Sequence, residues 1–295
     1  INSLIKSGKK IINMGIGSPD IAPESSVINA LKESMSFSKA NMYQSYQGIP
    51  ELRESMSFFY KKHYNVILNP ENEVLPLIGS KEGIMHISMA FLNKGDKVLI
   101  PNPGYPTYNS VTQLLEAQSL FYDLSIKNNW QPDIDQLFKM DVSRVKIMWL
   151  NYPHMPTGAD LDSSVLQEII IWANQNDILL INDNPYSFIL NNNPQSILSI
   201  PGAMETAIEL NSLSKSFNLS GWRIGMLSGK AKFINSILKV KSNMDSGMFY
   251  GIQKGAIKAL SLSNSWFDNI NKIYSSRRLA ICELANLLNT TFDPN

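Results

Sequence analysis

Lys215 stands in the run Asn211-Ser212-Leu213-Ser214-Lys215-Ser216-Phe217-Asn218-Leu219-Ser220-Gly221-Trp222-Arg223-Ile224-Gly225. Hydroxyls at Ser212 and Ser214 precede the amine, and a guanidinium follows at Arg223. This is how an amine nucleophile is built beside an anion clamp, although a lysine in such a place is often only a solvated charge. Gly79-Ser80-Lys81-Glu82 opens a segment with helical spacing. The free N–H groups and positive dipole end of a helix start favour a phosphate, and Lys81 in that first turn is unfavourable unless an anion sits nearby. The plainer alternative is a helix capped by Ser80, with Lys81 in solvent. Asp183 closes the apolar run Ile178 to Ile181, where a carboxylate must be paired or solvated; its alternative role is to cap the next turn. Tyr186, three residues on, offers a phenol on the same side of a helical turn, or is a half-buried loop aromatic. Tyr105, between Gly104 and Pro106, is held on a stiff turn that suits ring stacking or loop packing.

These residues need elements to bring them together. Short apolar runs at 97–100, 145–150, 178–181, 207–210 and 224–227 read as buried strands. Helical spacing separates several of them: Val165, Leu166, Ile169, Ile170, Trp172 and Ala173 after Asp162-Ser163, and Ile84, Ile87 and Phe91 after Ser80. Alternation of this kind predicts an α/β fold with a mostly parallel sheet between helices. The unusual polar segments Pro101–Tyr105, Asn151–Gly158, Asp183–Tyr186 and Ser212–Lys215 each follow a strand. Ligands bind beyond the carboxyl edge of open α/β sheets, so the four segments are expected to meet in one crevice.

Composition narrows the function. The 295 residues are 44% hydrophobic and 17% charged, which describes a globular chain and excludes collagen-like or disordered classes. Lys+Arg 26 against Asp+Glu 25 leaves a formal charge of +1, so no basic footprint points to nucleic acid or an anionic membrane. No apolar run is long enough to cross a bilayer, and Cys282 is the single cysteine, so the reading is a soluble cytoplasmic protein without disulfides. No metal-ligand motif is read. The chain opens at Ile1 without an initiator methionine and stops at Asp293-Pro294-Asn295, so either end reads as incomplete.

The residues resemble the fold-type-I, pyridoxal-phosphate-dependent aminotransferases of class I/II, in their aspartate and LL-diaminopimelate aminotransferase-like branch. The resemblance runs from Met14-Gly15-Ile16-Gly17-Ser18-Pro19-Asp20 through Tyr43 and Gly48-Ile49-Pro50-Glu51-Leu52-Arg53, then the four edge segments, to Asp245-Ser246-Gly247. It implies that Lys215 forms the internal Schiff base with pyridoxal 5'-phosphate and later moves the substrate's α-proton. It implies further that Asp183 holds the pyridine nitrogen protonated, Tyr186 hydrogen-bonds the phenolic oxygen and Tyr105 stacks on the ring. Ser80, Lys81, Ser212, Ser214 and Arg223 would grip the phosphate. Tyr43 and Ser246 match positions that reach into the neighbouring subunit's site, implying a homodimer with shared sites, and Gly17 would approach the substrate carboxylate. The implied organisation is an N-terminal segment over 1–40 contributing to the small domain and substrate entrance, a large cofactor-binding domain over 41–265, and the start of an incomplete C-terminal small domain over 266–295.

The implied reaction is ping-pong transfer of an amino group between an amino acid and a 2-oxo acid. A lyase or decarboxylase of the same fold is the alternative, and an effector-sensing module of a regulator is a second one. The latter lacks support, because residues before Tyr43 show no basic recognition helix. No Gly-x-Gly-x-x-Gly follows a first strand, against a nicotinamide dehydrogenase. Two departures from the family stand out. No arginine past Asn286 is available to pair with the substrate α-carboxylate, so the chain reads as truncated, and near the place of the arginine that selects dicarboxylic side chains stand Lys241, Asn243 and Met244. The usual Asn-Pro-Thr-Gly is His154-Met155-Pro156-Thr157-Gly158 here, and a thioether cannot donate a hydrogen bond to the cofactor's phenolic oxygen. With one donor fewer, the deprotonated Schiff base is less stabilised and its pKa rises, unless water or His154 substitutes. Titration of the Schiff-base absorbance is therefore expected to give a lower midpoint in Met155→Asn than in the native chain, and equal midpoints would refute this.

Overall fold

The computed structural model describes residues 1–12 and 17–292; Met14, Gly15 and Ile16 of the first resemblance motif lie outside the described residues. Seven strands form one sheet: β1 (Val74–Leu77), β2 (Lys97–Asn102), β3 (Gln118–Asp123), β4 (Val145–Leu150), β5 (Leu179–Asn184), β6 (Ala207–Ser212) and β7 (Gly225–Gly229). Their order is β1-β7-β6-β5-β4-β2-β3. The block from β6 through β5, β4 and β2 to β3 is parallel, while β7 runs antiparallel to both β6 and β1. The mostly parallel α/β sheet is therefore as expected. Two strands were not legible: β1 is four residues long and holds Pro76, and β3 is an edge strand whose Gln118, Phe121 and Asp123 face solvent.

Strand periodicity divides the core into two layers. Val98 and Ile100 of β2, Ile147 and Trp149 of β4, Leu179 and Ile181 of β5, and Ile208 and Leu210 of β6 join one buried cluster. Their neighbours Leu99, Met148, Leu150, Leu180 and Ala207 join a second. Alternate side chains point to opposite faces, so a sheet covered on both sides needs an apolar residue at nearly every position, which is what made these strands read as continuous runs.

On the first face lies the helix Ser80–Phe91, with Ile84 and Ile87 fully buried, beside Ala231–Lys241 with Ile234 and Ile237. The second face carries Pro50–Tyr64, Ser163–Gln175 and Tyr250–Leu260, which bury Leu52, Met56, Phe59, Ile169 and Ala256. Asp162 occupies the N-cap position of Ser163–Gln175 but makes no capping bond; its carboxylate accepts from Gln131 Nε2 at 3.0 Å instead. A polar exception is buried within the second layer. Glu209 of β6 is fully buried and accepts from Tyr60 Oη at 3.0 Å, Ile197 N–H at 3.0 Å and Asn182 Nδ2 at 3.3 Å. Burial pushes its carboxyl pKa up, and those donors oppose the shift.

Helix Ser80–Phe91 carries the first turn that faces the site, so its seat on the sheet decides the geometry there. Truncation of its fully buried Ile87 to alanine removes apolar volume from a close-packed layer. Ile87→Ala is expected to cost ~2–5 kcal/mol, seen as a lower urea midpoint with an unchanged slope.

Candidate active site

Register puts three chain segments side by side. Gly225 at the start of β7 pairs with Leu77 at the end of β1 and with Ser212 at the end of β6. The chain leaves Leu77 through Gly79 into helix Ser80–Phe91, enters Gly225 from Arg223, and leaves Ser212 into the turn that carries Ser214 and Lys215. Backbones meet closely here. A Cβ on Gly225 would lie 2.6 Å from the backbone Ser80 N, which excludes a larger residue there, and one on Gly79 would lie 2.2 Å from Arg223 Nη2 and displace the guanidinium. Gly79 also has φ +86°, which favours glycine.

Gly79 rather than Ser80 occupies the N-cap of this helix, and no side chain caps it. Its first N–H groups are thus free to meet an anion, with the Arg223 guanidinium against Gly79. Arg223 itself is left-handed (φ 55°), and its Nη1 donates to Ser220 O at 2.8 Å, which aims the group back over the helix start. Ser212 and Ser214 are buried, the Ser212 hydroxyl accepting from Ser214 N–H at 3.1 Å. Ser80 is half-buried and Lys81 exposed.

Asp183 continues the face of Leu179 and Ile181 to the carboxyl end of β5, and is 5% exposed. One oxygen accepts from Tyr108 Oη at 2.9 Å; the other, Oδ1, is buried with no partner among the described residues. Burial raises its pKa to about 7, against the lowering effect of the Tyr108 hydrogen bond. Tyr108 stacks on Trp149 at 4.6 Å and 8°, and meets Tyr105 edge-on at 5.6 Å. Tyr186 has its pKa raised by burial, then by the nearby Asp183 and Tyr105, so its phenol keeps its proton. Asn151, just beyond β4, donates to Asp183 O at 2.7 Å and accepts from Met155 N–H at 3.3 Å. Tyr108 and Asn151 support the site although neither had a role assigned from sequence. Asn151 opens a polar segment that follows a strand, whereas Tyr108 lies on the helix Pro106–Leu114 beyond such a segment, so position is the only signal of either.

Lys215 is half-buried and donates to Gly17 O at 2.6 Å, which brings Gly17 to the site. Burial, and then the Arg223 charge, lower its pKa, which favours the neutral, nucleophilic amine. Next to Tyr186 a pocket of about 340 Å³ is lined by Met155, Pro156, Ile189, Leu190 and Arg278 among others. The buried His154 uses both ring nitrogens, toward Thr157 Oγ1 at 2.7 Å and Pro103 O at 3.1 Å. It is therefore already engaged, and does not supply the donor that Met155 lacks.

Two of the sequence candidates are not brought into this crevice. Tyr43 is 91% exposed and Ser246 is exposed as well. They share one patch, since the turn at Gly247 packs on the carbonyl of Gln44, where a Cβ would lie 2.5 Å away. Lys241 faces no substrate either: it is 2% exposed and paired with Asp245, whereas Asn243 and Met244 are exposed.

Comparison with known proteins agrees with this geometry. The profile of the family "Aminotransferase class I and II" matches residues 9–287. An LL-diaminopimelate aminotransferase of Natranaerobius thermophilus is 40% identical over 278 residues, spanning 94% of this chain and 72% of that protein. One from Aquifex aeolicus is 37% identical over 281 residues, 95% of this chain and 73% of that protein. The solved structure of apo BacF from Bacillus subtilis superposes with a TM-score of 0.92 at 34% identity, covering 96% of this chain and 72% of that one.

The pKa of Asp183 gives a test in the cofactor-free chain. Between the ordinary 3.8 and about 7 the folded state holds a proton that the unfolded state has lost, so stability falls as pH rises through that window. Asp183→Asn, which carries no charge to bury, is expected to gain urea stability over the native chain at about pH 8 relative to about pH 4. An equal difference at both pH values would overturn the raised pKa.

Proposed function

We propose how this chain, which belongs to the aminotransferase class I and II family and is a pyridoxal-phosphate-dependent aminotransferase, arranges its own residues for the reaction. The described residues fit the cofactor. Asp183 Oδ1, buried without a partner among the described residues in a carboxyl whose pKa burial raises, is the place for a cationic ring nitrogen. The uncapped helix start at Ser80, the Arg223 guanidinium and the Ser212 and Ser214 hydroxyls are the donor set a phosphate dianion requires. Pyridoxal phosphate, when bound, supplies an electron sink for the substrate carbon that carries the amino group.

The remaining chemistry belongs to side chains. The Lys215 amine anchors the cofactor, and its Nζ takes and returns the substrate's α-proton, for which a depressed pKa suits it. Asp183 holds the ring nitrogen in its protonated form, and Tyr108 and Asn151 hold Asp183. Tyr186, kept protonated, would donate to the phenolic oxygen of the bound cofactor, Tyr105 would stack on its ring, and Lys81 would add charge near its phosphate. Gly17, already at Lys215, meets the substrate carboxylate.

The substrates we assign are an amino acid of the diaminopimelate type and a 2-oxo acid, supported by the names of the relatives at 37–40% identity. We further assign a cytoplasmic homodimer. Its support is the patch formed by Tyr43 and Ser246, two residues outside their own crevice that the family shares between subunits, and a single, unpaired cysteine. None of the described helices is long and apolar enough to cross a membrane. Residues 41–265 form the large domain in this reading and 1–40 the entrance segment. Residues 266–295 begin a smaller domain, because helix Asn264–Leu287 buries only Phe267 and Ile270.

One observation carries the assignment: an amine of depressed pKa beside a guanidinium that overhangs an uncapped helix start. Borohydride reduction of the loaded protein, followed by peptide mass mapping, is expected to place the cofactor on Lys215. Its visible absorbance should bleach with LL-diaminopimelate and return with a 2-oxo acid. Release of ammonia without that cycle would favour the lyase reading, and label on another lysine would overturn the site.

A further inference from the structure

Two hydrogen-bonded side-chain pairs face each other behind the phosphate cradle. Glu82 and His86 lie one turn apart on helix Ser80–Phe91, with His86 Nε2 bonded to Glu82 Oε1 at 2.5 Å. Lys241 ends helix Ala231–Lys241, and its Nζ donates to Asp245 Oδ1 at 2.9 Å and Oδ2 at 2.8 Å. Asp245 Oδ1 also accepts from Gly247 N–H at 2.7 Å. One ligand atom each of Glu82, His86 and Asp245 lie within 4.8 Å of one another. Two carboxylates thus share an enclosed space with one ammonium, that of Lys241, which is 2% exposed. The space is no cation site, since Lys241 already holds both oxygens of Asp245.

The consequence falls on the helix start. Glu82 lies in the first turn of the helix whose free N–H groups await the phosphate, so its charge opposes an incoming dianion at the same dipole end. Asp245 adds a second negative charge within the same cluster, and low-dielectric surroundings leave such repulsion little screened. Only Lys241 offsets them by a fixed positive charge. Its partner Asp245, beside Glu82 and His86, belongs to the 245–247 turn, which packs on Gln44 and presents Ser246 to solvent.

We propose that Lys241, although it touches neither cofactor nor substrate, is a positioning residue for the cofactor's phosphate: its buried ammonium offsets the Glu82 and Asp245 carboxylates behind the cradle. The proposal rests on the phosphate reading of the Gly79–Ser80 turn. It assigns to this lysine a part in cofactor retention, distinct from the substrate-selecting role that its place in the sequence suggested.

The test compares native cofactor-free protein with Lys241→Met, Lys241→Met/Asp245→Asn and Glu82→Gln, each shown folded by circular dichroism at the temperature used. Pyridoxal phosphate is titrated and followed by quenching of intrinsic fluorescence. Lys241→Met is expected to raise the dissociation constant roughly tenfold or more, and the double variant, which removes a carboxylate with the ammonium, to recover most of that loss. Glu82→Gln, which keeps Lys241, is expected to bind more tightly than native protein, and it carries the test alone should Lys241→Met fail to fold. A purely structural lysine would lower the melting temperature while leaving the affinity of folded protein unchanged. An affinity of Lys241→Met within about twofold of native, a double variant no better than the single, or a Glu82→Gln variant that binds no more tightly would each overturn the proposal. Native protein that binds no pyridoxal phosphate would instead overturn the cofactor reading, and this proposal with it.

Discussion

Two backbones touch at Gly225, and the chemistry of this protein depends on that contact. With no side chain between them, the start of β7 rests against the Gly79–Ser80 turn, and the Arg223 guanidinium fills the space beside Gly79. Because β7 lies between β1 and β6, the same contact aligns the end of β1 with the end of β6. An uncapped helix start, a guanidinium, two serine hydroxyls and an amine then share one edge of the sheet. A methyl group on Gly225 would meet the backbone of Gly79 and Ser80 and force these elements apart, whereas one on Gly79 would strain a backbone at φ +86° and displace the Arg223 guanidinium.

Charge burial is the second organising feature, and the chain handles it differently at each place. Glu209 is saturated with donors deep in the second layer. Lys241 is matched by a carboxylate on the next turn. Asp183 is left half-satisfied, one oxygen on Tyr108 and the other without a partner among the described residues, and burial raises its pKa. An unpartnered buried acceptor is costly in a core and is the mark of a binding group at a strand end. Glu209 is fully bonded, whereas Asp183 keeps an acceptor open at the carboxyl end of its strand.

Legibility followed the physics of each signal. Strands β2, β4, β5 and β6 are covered on both faces, so almost every residue in them is apolar and they were visible as runs. Strand β3 lies at an edge with alternate positions in water, and β1 is short and interrupted by Pro76, so neither leaves such a run. Lys215, Asp183 and Tyr186 were singled out because chemically unusual residues follow strands of the parallel block, and Arg223, which precedes the antiparallel β7, by its spacing from Lys215. Tyr108 escaped because nothing in its own segment shows that its hydroxyl reaches a carboxylate in a strand 75 residues later. The pairing of Lys241 with Asp245 is local, yet its burial against Glu82 and His86 depends on how two distant helices pack.

Sequence by itself determined the alternation of strands and helices and the residue types at the carboxyl edge, because these follow from periodicity and from the polar segments that end the apolar runs. Only the tertiary structure decided that β7 runs antiparallel between β1 and β6, that Gly79 and not Ser80 is the N-cap of the helix, and that Tyr43 and Ser246 face outward while Lys241 is enclosed. The reason is range. Periodicity and turn chemistry act over a few residues, whereas strand direction, burial and the company of a charge are set by contacts between segments far apart in the chain.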